Sequence, residues 1–115
     1  MAWARLDDSF YDHPKVIAVW HTRPDALGLH MRAISYCARH ETDGKIHNAA
    51  VMALSPFQRD REGQVGALVD AGLWYEQEEH YLIHDYLDYN LSRDEIAAKR
   101  EADRERQAKR RKVAA

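Results

Sequence analysis

The chain has one cysteine, three prolines and five glycines in 115 residues. A lone Cys37 cannot form an internal disulfide, so a cross-linked scaffold is excluded and a reducing cytoplasm is the expected setting. No apolar run reaches the length of a membrane span. The opening Met1-Ala-Trp-Ala-Arg5 lacks the apolar core of a signal peptide. No glycine-rich phosphate loop is present, because Gly63-Gln-Val-Gly66 falls inside an expected helix instead of following a strand. Seven histidines are available. His80 and His84 could share one side of a strand, but no second pair or cysteine cluster completes a metal site. Asp7, Asp8 and Asp12 lack the partner cluster that a metal nuclease needs. No metal, no cofactor and no enzymatic activity are therefore expected.

What is present suits one soluble domain, with 45% apolar and 31% charged residues. The net charge of -2 conceals an asymmetry. Residues 93–112 hold nine Lys/Arg and five Asp/Glu, a local +4, which leaves eight cations against fourteen anions, or -6, elsewhere. An acidic body with a basic arm is the pattern of a chain reaching for a polyanion or an acidic partner. The same -6 means that phosphate repels most of the body, so any nucleic-acid contact must be local.

Trp3, Leu6, Phe10 and Tyr11 precede a first short helix, which Pro14 opens in the turn where a missing N–H costs nothing. Val16, Ile17 and Trp20 are spaced to share its core face. A longer helix follows, with Thr22 a candidate cap, Pro24 in its first turn and Gly44 past its end. Leu27, Met31, Ile34 and Ala38 form its stripe, widened by Leu29, Ala33 and Cys37. Met31 and Cys37 read as packing residues.

The stretch "GKIHNAAVMALSPFQRDREGQVGALVDAGLWYEQEEHYLIHDY" organises the rest. It reads as a strand (Lys45–His47), a helix (Asn48–Leu54), a turn at Ser55 and Pro56, and a second helix over about residues 58–71. Gly72 stops that helix, and a hairpin follows over residues 73–76 and 80–85. Strand, helix, turn, helix, hairpin is the order of a winged helix-turn-helix. The expected fold is thus mainly α with a small β-hairpin (α+β), with a winged helix-turn-helix over residues 1–91 and a charged, basic helix over 92–115. The second helix is polar in its leading half and apolar behind, as a recognition helix requires. Arg59, Arg61 and Gln64 carry the chemistry for guanine, phosphate or adenine. The competing reading is a solvated face, since Asp60 and Glu62 intervene with opposite charge. The hairpin tip is acidic (Glu76, Gln77, Glu78, Glu79), which suits packing or a protein contact better than phosphate.

Ser92 and Glu95 form a capping box for the last helix. Glu95 with Lys99 and Glu105 with Lys109 are favourably oriented pairs four apart. Beyond Ile96 its apolar residues are alanines until Val113, so it should project into solvent. Arg104, Arg106, Lys109, Arg110, Arg111 and Lys112 are the candidate phosphate contacts; the competing reading is a solvated tail.

The segments "LDDSFYDHPKV", "GLHMRAISYCARHETDGKI" and "LVDAGLWYEQEEHYLIHDYLDYNLSRDEIAAKREADRERQAKRRK" together cover most of the chain. In them the chain resembles the amino-terminal winged-helix domain of phage replisome-organiser proteins, and is similar to short helix-turn-helix proteins of actinobacterial phages. Gly72-Leu-Trp74, His84-Asp-Tyr86 and Ser92-Arg93 are the most specific part. The resemblance implies binding to double-stranded DNA in replication initiation or transcription control, inside a bacterial host cell, with residues 58–71 as the recognition helix. A homodimer is compatible with that reading. The alternative is a protein-interaction module whose acidic body contacts a host or phage replication or transcription factor.

Overall fold

Hydrophobic spacing and turn chemistry divide the chain into short helices around one small sheet. The computed structural model describes residues 4–6, 8–55 and 59–114. Trp3, Asp7, Pro56 and Gln58, each of which carries part of the sequence reading, lie outside the described residues. A single 3-10 turn (Phe10–Asp12) leads into α1 (Pro14–Thr22), α2 (Pro24–His40), β1 (Lys45–His47), α3 (Asn48–Leu54) and α4 (Arg61–Asp70). Then come β2 (Trp74–Glu76), β3 (His80–Ile83), a one-turn α5 (Tyr86–Tyr89) and the long α6 (Arg93–Ala114). The chain is mainly helical, as expected, and β1 joins the expected hairpin to make a three-stranded antiparallel sheet. The strands lie in the order β1-β3-β2, with Ile46 opposite Tyr81 and Trp74 opposite Ile83. Among the described residues no helix is long and apolar enough to cross a membrane.

Two imidazoles start helices. His13 Nδ1 accepts from the Lys15 amide at 3.2 Å, and His47 Nδ1 from the Ala49 amide at 3.1 Å. Each satisfies a helix-terminal N–H that would otherwise lack a partner. Thr22 does not cap α2. It ends α1, its hydroxyl donating to the Ala18 carbonyl at 2.9 Å, and Arg23 holds the cap position before Pro24.

The buried faces are rotated from the expected ones. On α1 the core takes Val16 and Val19, while Ile17 is partly exposed and Trp20 is 62% exposed. On α2 the seam is Ala26, Leu29, His30, Ala33, Ile34 and Cys37, and Met31 faces outward. Both faces follow helical spacing equally well; what selects between them is the match to neighbours. α2 packs on α1, α3 and α4 at once, and small Ala26 and Ala33 allow that close approach. Cys37 is fully buried, as a packing residue should be, and burial pushes its thiol up to about 11. Gly44 has φ +86°, and a Cβ there would come within 2.8 Å of Tyr86 Cβ. Only glycine joins α2 to β1 at that point.

The most buried large side chain is Trp74, whose indole N–H donates to His30 Nδ1 at 3.0 Å. This is a long-range polar link between β2 and the middle of α2. Burial lowers His30 to about 4. Below its ordinary value of about 6.5 the unfolded chain takes up the proton first, so stability is full above that pH and drains away toward pH 4. The loss is about 3 kcal/mol. The expected result is a single neutral tautomer, protonated on Nε2, down to about pH 5 in imidazole 15N spectra; titration of His30 near pH 6.5 would contradict it.

Candidate nucleic-acid interface

α4 starts at Arg61, later than the expected position 58, because Asp60 caps it: its Oδ1 accepts from the Gly63 amide at 3.0 Å. Arg23 spans the gap between the amino ends of α2 and α4. It holds Asp25 with two hydrogen bonds (3.1 and 2.9 Å) and Asp60 with a third at 2.8 Å. Gln64, only 1% exposed, reaches the same Asp25 and donates to Oδ2 at 2.8 Å. The Arg23 guanidinium, with help from Gln64, holds the Asp25 carboxyl well below the usual carboxylate range. Arg23 and the Gly63 amide lower Asp60 in the same sense. A methyl group on Gly63 would run into the Asp60 carboxylate and the Arg23 guanidinium, so glycine there leaves room for the bridge.

Arg61 also turns inward. Its Nε donates to Ser55 Oγ at 2.9 Å and its Nη2 to the Ser55 carbonyl at 2.8 Å. Ser55 is itself buried and donates to the Val51 carbonyl at 3.1 Å. Arg61 therefore ties the end of α3 to the start of α4.

Two of the three expected base-reading side chains, Arg61 and Gln64, thus serve the core. In this arrangement Arg61 Nε and Nη2 and the Gln64 side-chain amide are engaged by Ser55 and Asp25 and are not presented to a base edge. Arg59 is exposed and has no hydrogen-bond or ion-pair partner among the described residues. It stands beside exposed Asp60 and Glu62, and Asp70 is exposed at the far end of α4. The outward charge of this helix is net acidic. We expect Arg61→Ala to lower stability by about 1–3 kcal/mol, the range for hydrogen bonds to a charged group, in urea denaturation. Duplex affinity, followed by fluorescence anisotropy, should stay at the wild-type value; a large loss of affinity with unchanged stability would return Arg61 to the interface.

The acidic hairpin tip is exposed over residues 77–79, and the Gln77 amide closes it onto the His80 carbonyl at 2.9 Å. Between α3, α4 and the hairpin lies an open groove of about 390 Å³. Val51, Met52, Val65 and Tyr81 line it, and Glu62, Asp70 and Glu76 give it an acidic border.

α6 has the opposite character. The capping box forms as expected: Ser92 Oγ accepts from the Glu95 amide at 3.1 Å, and Glu95 Oε1 accepts from the Ser92 amide at 3.3 Å. Two further contacts fasten its first turns to the body. The Arg93 amide donates to Asp43 Oδ1 at 2.7 Å, and Arg100 pairs with Glu41 at 2.8 Å. The remaining turns are almost wholly exposed. With Glu95 engaged in the cap, the expected pairs of Glu95 with Lys99 and Glu105 with Lys109 are not formed. Instead Arg104 pairs with Glu101 at 2.7 Å, and Arg106 pairs with Asp103. Lys109, Arg110, Arg111 and Lys112 are exposed and have no ion-pair partner among the described residues.

Of the nine expected contact residues, the seven in solvent fall into two places: Arg59 alone at the start of α4, and six on the outer half of α6. The residues that sequence reasoning missed are Arg23 and Asp25. Their only signal was the short gap between two prolines-led helices, and the partner Asp60 lies 37 residues away. No family model matches the chain, and neither does any curated protein or any solved structure.

Proposed function

We propose that the chain is a non-enzymatic DNA-binding protein on a winged helix-turn-helix frame, in which α6 neutralises duplex phosphate and α4 does not read bases. The frame is supported by the succession α2-β1-α3-α4-β2-β3 and by the sheet order β1-β3-β2. The observation that carries the DNA reading is the run Lys109, Arg110, Arg111 and Lys112: four consecutive exposed cations without partners among the described residues, at the outer end of a 22-residue helix. A cationic run of this kind releases counterions from DNA whatever its sequence. Binding is therefore sequence-tolerant and steeply salt-dependent. A role in phage replication initiation or transcription control rests on the family resemblance of the closing segment. The test is anisotropy on two unrelated duplexes of equal length. Equal affinities that fall together with salt support the proposal; no binding at low salt, or a strong preference for one duplex, defeats it.

A second reading is favoured by the acid-bordered apolar groove: a protein-interaction module for a basic segment of a replication or transcription partner. Reversing the charges of Glu62, Asp70 and Glu76 together separates the two. Loss of a stoichiometric partner from nuclease-treated bacterial lysate, with duplex binding retained or raised, assigns the groove to a protein.

A further inference from the structure

The groove between α3, α4 and the hairpin and the outer turns of α6 are opposite in charge and alike in apolar character. Val51 and Val65 form a buried floor, and Met52, which also lines the groove, is 60% exposed. Glu62, Asp70 and Glu76 border it, and all three are exposed. At the α3 end the Asn48 amide donates to the Glu79 carbonyl at 3.1 Å, which brings the acidic hairpin tip to the same place. Arg61 is the one cation in the lining among the described residues, and its Nε and Nη2 are taken by Ser55. Three carboxylates against one engaged guanidinium leave the rim negative. At about 390 Å³ the groove matches pockets that enclose a small ligand, with room for long side chains from adjacent helical turns.

On α6 the pattern is inverted. Lys109, Lys112 and Val113 are three and four residues apart and share a helix face, with Arg110 beside them. Val113 is 88% exposed, the most of any large apolar side chain among the described residues. Lysine and arginine can lay their methylene stems on apolar surface while the charged heads reach outward. An apolar floor inside a ring of carboxylates therefore complements an apolar residue flanked by long cations.

The tail of the same chain does not lie in the groove. α6 is one helix from Arg93 to Ala114, and its first turns are fastened by the Arg93–Asp43 and Arg100–Glu41 contacts. Every residue from Arg104 to Val113 is exposed. A tail that fills the groove therefore comes from another copy.

We propose that the groove receives the outer turns of α6 from a second copy of this chain. Val113 rests on Val51, Val65 and Tyr81, while Lys109, Arg110 and Lys112 meet Glu62, Asp70 and Glu76. The inference takes the groove of the second reading above and names its occupant. It also uses the cations that the DNA reading assigns to phosphate, so a tail seated in a groove is withheld from DNA. Exposed ion pairs are individually weak, so the expected Kd is about 1 mM, and at about 50 μM protein or less the chain is essentially monomeric.

Paramagnetic broadening between copies of the full chain tests it. Gln107→Cys places a spin label on the face of α6 opposite Val113, while buried Cys37 stays unmodified. The spin-labelled protein, without isotope, is mixed with 15N-labelled wild type, each at about 0.5 mM in about 50 mM salt. Broadening is expected at Val51, Met52, Val65 and Tyr81 and should vanish at about 500 mM salt. Association should weaken about tenfold when the 15N chain carries Glu62→Gln, Asp70→Asn and Glu76→Gln together. Excess duplex, by occupying the tail, should also remove the broadening; broadening that survives it keeps the groove contact and counts against the DNA reading instead. No broadening at the groove, broadening centred on another face, or indifference to the three neutralising substitutions would each overturn the proposal, and duplex affinity measured on the dilute protein would be untouched by any of them.

Discussion

Deleting the residues after Ala102 should abolish most duplex binding and flatten its salt dependence. The deletion removes Arg104 and Arg106, which are held by carboxylates one turn earlier, and the four cations at 109–112. If only those four meet phosphate, the log–log salt slope changes by about 3.6, at 0.9 per contact. In the intact chain, affinity then falls about 150-fold between about 50 and 200 mM salt. The truncated protein should lose that sensitivity together with its affinity. Its body should remain folded, because the capping box, the Arg93–Asp43 bond and the Arg100–Glu41 pair all precede the cut. An unchanged slope in a folded truncation would remove α6 from the account.

The second large effect concerns the core. Trp74→Ala should cost about 3–5 kcal/mol, the range for deleting a buried aromatic. For a small domain with a total stability of about 5–15 kcal/mol, that brings the chain close to unfolding. Trp74 is fully buried, lies 5.5 Å from the Tyr81 ring, and supplies the N–H that His30 accepts. Trp74→Phe keeps most of the volume but leaves His30 Nδ1 without its donor, and should cost about 1–3 kcal/mol. Urea denaturation of the two variants separates packing from hydrogen bonding. A Phe variant as stable as the wild type would mean that the indole N–H contributes nothing, and equal losses in the two variants would mean that the ring volume does not.

These two residues show where the sequence was readable. Strand, helix and hairpin limits came through because they depend on local chemistry: β1 and α3 begin and end where expected, Ser92 and Glu95 cap α6, and Gly72 ends α4 with φ +81°. The one-turn α5 was not anticipated, since four residues carry no period. Helix rotation was less legible. Ile17 and Trp20 fit one face of α1 as well as Val16 and Val19 fit another, and only the neighbouring helices decide. Least legible were polar residues used inside. Gln64 and Arg61 have the composition of a groove-reading surface, yet their partners Asp25 and Ser55 lie across a loop or in another helix. His30 is the same case seen from the core: a histidine on an apolar face whose partner is 44 residues away.

The division of labour between an inward-locked α4 and an outward cationic α6 is tested most directly by mapping duplex contacts on the intact chain. Amide chemical-shift perturbation at low salt, with a non-specific duplex, should cluster at residues 104–113 and leave residues 61–70 unmoved. Perturbation centred on α4, with Arg61 released from Ser55 and Gln64 from Asp25, would contradict it.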